Sequence, residues 1–143
     1  MFLGDYQHTL DAKGRVSLPA KFRNEMTGKL VIAKGFDTCL AVYSVAEWEK
    51  FTEVILSRAD FDPDVRQLRR QLTSGSNEVE LDSAGRVSLP QNLREWAGLK
   101  KDVAVIGNGN RIEIWDSEKW AEYNGESASM EELASKLSST GML

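Results

Sequence analysis

A single cysteine, Cys39, and a single histidine, His8, stand in a chain of 143 residues. One cysteine has no partner for an internal disulfide, and one histidine is too few to anchor a metal cluster. The same scarcity leaves no Ser/His/Asp arrangement to spare, and no Gly-x-x-x-x-Gly-Lys-Ser/Thr phosphate loop occurs. No apolar run approaches the roughly 20 residues of a membrane span. The opening stretch Met1–His8 lacks the basic flank and apolar segment of a signal peptide. Most enzyme classes that announce themselves in sequence are thereby excluded. The expectation is a soluble, intracellular chain with no catalytic residue, no metal, no cofactor, no small-molecule substrate and no membrane partner.

With 41% hydrophobic and 28% charged residues the chain is too apolar to stay disordered. Its length suits one average domain, or two very small ones sharing a core. The net charge of -4 argues mildly against a nucleic-acid partner. The distribution softens this. Residues 1–72 carry a net +1 and residues 73–143 a net -5. Lys13, Arg15, Lys21, Arg23, Lys29 and Lys34 cluster within 11–34 against only Asp11 and Glu25. Local potential governs docking on a phosphate backbone more than the global sum does.

The chain repeats itself. Asp11-Ala-Lys-Gly-Arg-Val-Ser-Leu-Pro19 recurs as Asp82-Ser-Ala-Gly-Arg-Val-Ser-Leu-Pro90, seven of nine positions identical at an offset of 71. The match runs from Leu10/Leu81 to Arg23/Arg94. At an offset of 72 it continues through Leu40/Ile112, Val42/Ile114, Tyr43/Trp115, Trp48/Trp120 and Phe51/Tyr123. Each copy reads alike. A short strand (His8–Leu10, Val79–Leu81) enters a turn at Gly14 or Gly85, and a β-type run leaves it (Arg15–Leu18, Arg86–Leu89). Pro19 or Pro90 opens a short helix that stops at Gly28 or Gly98. A hairpin follows, Leu30–Ala33 with Leu40–Tyr43 and Val103–Ile106 with Ile112–Trp115, the second turning at Gly107–Asn110. A helix capped by Ser44 or Asp116 closes each copy.

Between the copies, Asp62-Pro63-Asp64 starts a helix with Val65, Leu68 and Leu72 on its apolar face and Arg66, Arg69 and Arg70 on a solvated one. The Ser/Gly-rich tail holds one short amphipathic helix, from Ser129 through Leu137. The expected partition is a first repeat at 5–47, a helical connector at 48–75, a second repeat at 76–119 and a helical tail at 120–143. A β-rich unit of about 45 residues cannot cover its own apolar faces. The two copies are therefore expected to pack about a pseudo-twofold axis, giving a β-rich α+β fold.

The paired Asp-x-x-Gly-Arg motif admits two compatible readings. In the structural one, Asp11 and Asp82 accept turn N–H bonds, Gly14 and Gly85 permit the turn, and Arg15 and Arg86 pair with the aspartates. In the other, Arg15 and Arg86 face one groove of DNA, where an arginine fork reads guanine or clamps phosphate. His8 carries no metal or catalytic role on this reading. Cys39 reads as a small buried residue, and Trp48, Trp96, Trp115 and Trp120 as packing residues.

Two Asp-x-x-Gly-Arg-aliphatic-x-aliphatic-Pro motifs, a short helix ending in Gly and the matched Trp48/Trp120 resemble the MraZ family, tandem members of the AbrB/SpoVT-like swapped-hairpin superfamily. The likeness spans residues 1–123, including the Met-Phe-x-Gly start and Glu113-Ile-Trp115. It implies two tandem β-α-β repeats packed as an intramolecular pseudo-dimer, a swapped-hairpin or double-split β-barrel with flanking helices. It also implies a bacterial, nucleoid-associated repressor that assembles into a ring. Such a ring binds direct repeats of double-stranded DNA in the promoter of its own division and cell-wall gene cluster. Arg15 and Arg86 would carry DNA contact, with Lys13, Lys21 and Arg23 beside them and Asp11, Gly14, Asp82 and Gly85 shaping the turns. Lys13 stands where the second copy has Ala84, and Lys21 where it has Asn92, so the expected DNA face is lopsided. The rival is a ring-forming scaffold whose DNA contact is incidental.

Overall fold

A computed structural model describes residues 1–58 and 60–143. The first half of the chain forms β1 (Asp5–Thr9), β2 (Arg15–Ser17), α1 (Ala20–Arg23), β3 (Lys29–Lys34), β4 (Leu40–Ser44) and α2 (Val45–Leu56). After α3 (Pro63–Ser74) the second half forms β5 (Asn77–Glu80), β6 (Arg86–Ser88), α4 (Gln91–Trp96), β7 (Asp102–Asn108), β8 (Arg111–Asp116) and α5 (Ser117–Glu126). The tail helix is α6 (Met130–Ser139).

The repeats are intertwined. Six antiparallel strands run in the order β1-β7-β8-β4-β3-β5, and β2 pairs β6 in a separate ribbon. Each repeat's first strand leaves its own unit: β1 pairs β7 and β5 pairs β3. Exchanging the repeats maps the strand order onto itself. The pseudo-twofold axis passes between β4 and β8, where Ala41 faces Glu113, and through the ribbon, where Val16 faces Val87.

Uninterrupted buried runs in β3 and β8 show why the sheet is covered on both faces. On one face Leu30, Ile32, Leu40, Val42, Val103, Val105, Ile112 and Ile114 meet Val16, Leu18, Val87 and Leu89 from the ribbon and Phe22 and Leu93 from the short helices. This is the shared core that the duplication required. On the other face α2 lays Trp48 and Phe51 against Tyr43, and α5 lays Trp120 and Tyr123 against Trp115. These are the residues paired at the 72-residue offset. Their ring centroids lie 5.3 Å apart in both Tyr43 contacts and 5.2 and 5.0 Å apart in the two Trp115 contacts. Such pairs contribute about 0.5–1.5 kcal/mol each beyond their burial.

Helix starts follow the capping residues. Ser44, Asp62, Asp116 and Ser129 accept backbone N–H bonds from Glu47, Asp64, Lys119 and Glu132.

Several expectations shift. The entry strands lie further upstream than His8–Leu10 and Val79–Leu81, because pairing with the opposite hairpin, not local apolarity, decides their extent. Pro19 and Pro90 cap their helices rather than open the first turn. α1 ends at Arg23, with Gly28 well beyond it at φ 75, whereas Gly98 does close α4. The β7–β8 ladder continues through Asn108 and Arg111, so the turn is only Gly109–Asn110. On α3, Leu68 is exposed. Arg66 is not simply solvated: it donates to the Asp60 carbonyl at 2.6 Å. Arg69 ion-pairs with the Asp60 carboxylate. No helix among the described residues is long and apolar enough to cross a membrane.

Candidate nucleic-acid interface

The two motifs adopt one geometry. Asp11 Oδ1 accepts the N–H groups of Lys13 and Arg15, both at 2.9 Å, and its Oδ2 accepts Arg15 Nε at 2.7 Å. In the second copy Asp82 Oδ1 accepts Ala84 and Arg86 N–H at 2.9 Å, and Oδ2 accepts Arg86 Nε at 2.8 Å. Gly14 and Gly85 sit in the left-handed region at φ 73 and 76 and return their N–H to the aspartate carbonyls. The structural reading of the motif is therefore realised in both copies. Gly14→Ala is expected to lower stability by about 1–3 kcal/mol from backbone strain, and further because its Cβ would stand 2.5 Å from Arg94 Cζ. Thermal melting checks this against Gly28→Ala, which carries strain at φ 75 but meets no neighbouring atom.

The motif aspartates titrate low. For Asp11 the Arg15 N–H is the main cause; partial desolvation opposes it, and the Arg15 guanidinium and the Lys13 N–H reinforce it. Asp82 is lowered likewise, first by the Arg86 N–H. A folded value below the ordinary 3.8 means the turns stabilise the fold fully above that pH. That contribution fades as pH falls through the lowered folded values. Melting of the wild type should thus fall from pH 4 downward more steeply than that of Asp11→Asn/Asp82→Asn; parallel curves would contradict this.

The ribbon brings the motifs together. Val16 and Val87 point into the core, so Arg15, Ser17, Arg86 and Ser88 share the outward face. Arg15 lies opposite Ser88, and Arg86 opposite Ser17. The two arginines thus occupy one diagonal, their backbones about 7–8 Å apart. Both are about a third exposed. The symmetry is imperfect, since Arg86 Nη1 also approaches Asp11 Oδ2 at 3.8 Å. Lys13 and Lys21 are exposed. Arg23 is half-buried, with Nη1 3.4 Å from the Ala84 carbonyl. Its repeat counterpart Arg94, which the duplication matches to it, is half-buried on α4.

Away from the ribbon, Cys39 is buried beside Trp115, and its thiol is pushed up by burial and by Glu113. His8 is half-buried on β1. Among the described residues no cluster of three or more His, Cys, Asp or Glu is placed to hold a metal.

Fold and motif geometry define a tandem-repeat protein in which two intertwined units present matched arginine turns on one ribbon. The family model described as "MraZ protein, putative antitoxin-like" matches residues 1–71 and again 72–139. The chain is 47% identical to a protein of Acetivibrio thermocellus named transcriptional regulator MraZ, over 99% of this chain and 100% of that one. A relative of the same name from Syntrophomonas wolfei is also 47% identical over those shares, and one from Clostridium acetobutylicum 44%. The chain belongs to the MraZ family and is a transcriptional regulator. That name describes a regulator rather than an enzyme, in agreement with the reading of the sequence.

Proposed function

We propose that the protein is a sequence-specific DNA-binding repressor that uses the β2–β6 ribbon as its reading surface. The supporting observation is the pair Arg15 and Arg86, held by Asp11 and Asp82 on the outer face of a two-stranded antiparallel ribbon. A ribbon of this kind fits the major groove, where an arginine fork addresses guanine O6 and N7. Lys13 and Lys21 add phosphate contact on the first repeat's side. Arg23 acts through the Ala84–Gly85 backbone that it touches.

Within this reading, residues 5–47 and 76–119 are the DNA-binding repeats, 48–75 the helical connector and 120–143 the tail. The protein associates with the nucleoid as a homo-oligomeric ring. It represses its own division and cell-wall gene cluster by engaging direct repeats in the promoter. One ribbon offers few contacts, so several must act together, and tethered sites gain through effective concentration.

The test is titration of the DNA upstream of its own coding sequence against a scrambled duplex at two salt concentrations. Specific binding that weakens with salt is expected, and removing one of several repeats should cost more than its proportional share. Equal affinity for both duplexes with the oligomer intact would favour the scaffold.

A further inference from the structure

Each motif turn is braced by the opposite repeat. Arg94, on α4, lays its guanidinium over Gly14: a Cβ at that glycine would stand 2.5 Å from Arg94 Cζ. Arg94 Nε donates to the Leu89 carbonyl at 3.0 Å, which fixes the planar head. The Leu89 N–H in turn donates to the Gly14 carbonyl at 3.0 Å. The arrangement recurs with the repeats exchanged. Arg23, on α1, lies over Gly85, and the Leu18 N–H donates to the Gly85 carbonyl at 3.1 Å. Both glycines thus serve a second purpose besides positive φ, because a bare Cα admits the flat guanidinium. The braces differ in quality. Arg23 Nε is buried without a hydrogen bond, and its Nη1 contact is long at 3.4 Å.

We propose that Arg94 and Arg23 are crossed positioning residues: Arg94 sets the Asp11–Arg15 turn, and Arg23 sets the Asp82–Arg86 turn. The inference rests on the ribbon being the DNA face. Neither repeat then owns its own reading arginine. Each reading arginine is aimed by a planar group from the other repeat, and the first motif is the more firmly held.

Double-mutant cycles on the full-length protein, read as dissociation constants for the promoter duplex, test this. Arg94→Gln keeps most of the aliphatic stem and is expected to weaken binding about tenfold, the scale of one bidentate base contact. Added to Arg15→Ala it should cost little more, whereas added to Arg86→Ala the losses should multiply. Arg23→Gln should show the reverse pattern. Arg94→Lys keeps the charge without the planar fork and is expected to lose as much as Arg94→Gln. A lysine that restores wild-type affinity would mean that charge alone acts at this position, which overturns the proposal. So would coupling that is equal across all pairs or stronger within a repeat, while Arg15→Ala and Arg86→Ala still weaken binding. Wild-type affinity in both of those alanine variants would instead remove the DNA-face reading, and the crossed bracing with it. Melting and elution of each variant separate lost aim from lost fold.

Discussion

Cutting the chain between Gly75 and Ser76 is expected to leave neither half folded as a monomer. The first half would keep β3 with β4, but β1 would lose its five-residue pairing with β7, and β3 its four-residue pairing with β5. The ribbon would vanish, since among the described residues β2 pairs with β6 alone. Val16 and Leu18 would lose Val87 and Leu89, and the sheet face they cover would meet water. Each buried aliphatic side chain exposed in this way forfeits about 1.5–3 kcal/mol. A few such losses are comparable with the usual stability of a domain, about 5–15 kcal/mol. Circular dichroism and sedimentation of the halves, alone and mixed, check this. Mixing should restore the native spectrum, while a cooperatively melting monomeric half would contradict the intertwined core.

The double substitution Arg15→Ala/Arg86→Ala is expected to abolish preference for the promoter duplex while sparing the fold. A bidentate arginine–guanine contact supplies about 1–3 kcal/mol of discrimination, so two together amount to roughly a thousandfold in affinity ratio. The fold survives because the ribbon is anchored by Val16 and Val87, and both aspartates keep their backbone N–H partners. Anisotropy titrations with specific and scrambled duplexes decide the matter. A variant that still prefers the promoter would move recognition off the ribbon. Residual weak, salt-sensitive binding is expected from Lys13 and Lys21.

Much of this architecture was legible because the chain states it twice. The offset pairs Tyr43/Trp115, Trp48/Trp120 and Phe51/Tyr123 became matched aromatic clusters, and the shared core followed from repeats too small to bury themselves. The motif turns were readable because Asp, Gly and Arg act within five residues of one another. The crossed contacts of Arg94 with Gly14 and Arg23 with Gly85 were not, since they depend on which repeat sits over which. The extents of β1 and β5 failed for the same reason: their partners lie in the other repeat. The polar group around Glu113 was missed because nothing in a strand of apolar neighbours marks it. There Glu113 accepts from Trp115 Nε1 and Asn108 Nδ2, both at 3.2 Å, with Arg111 Nε at 3.7 Å.

Glu113 lies directly across the axis from Ala41. Positions 41 and 113 are equivalent at the 72-residue offset, so two second repeats pairing in the same manner would set one buried glutamate against another. Like charges directly opposed on adjacent strands are destabilising, more so away from water. Two first repeats would meet alanine to alanine and encounter no such barrier. A second repeat is therefore disfavoured opposite its own kind and accepted opposite a first repeat, so this one pair of positions favours the mixed pairing within a chain over a match of two second repeats.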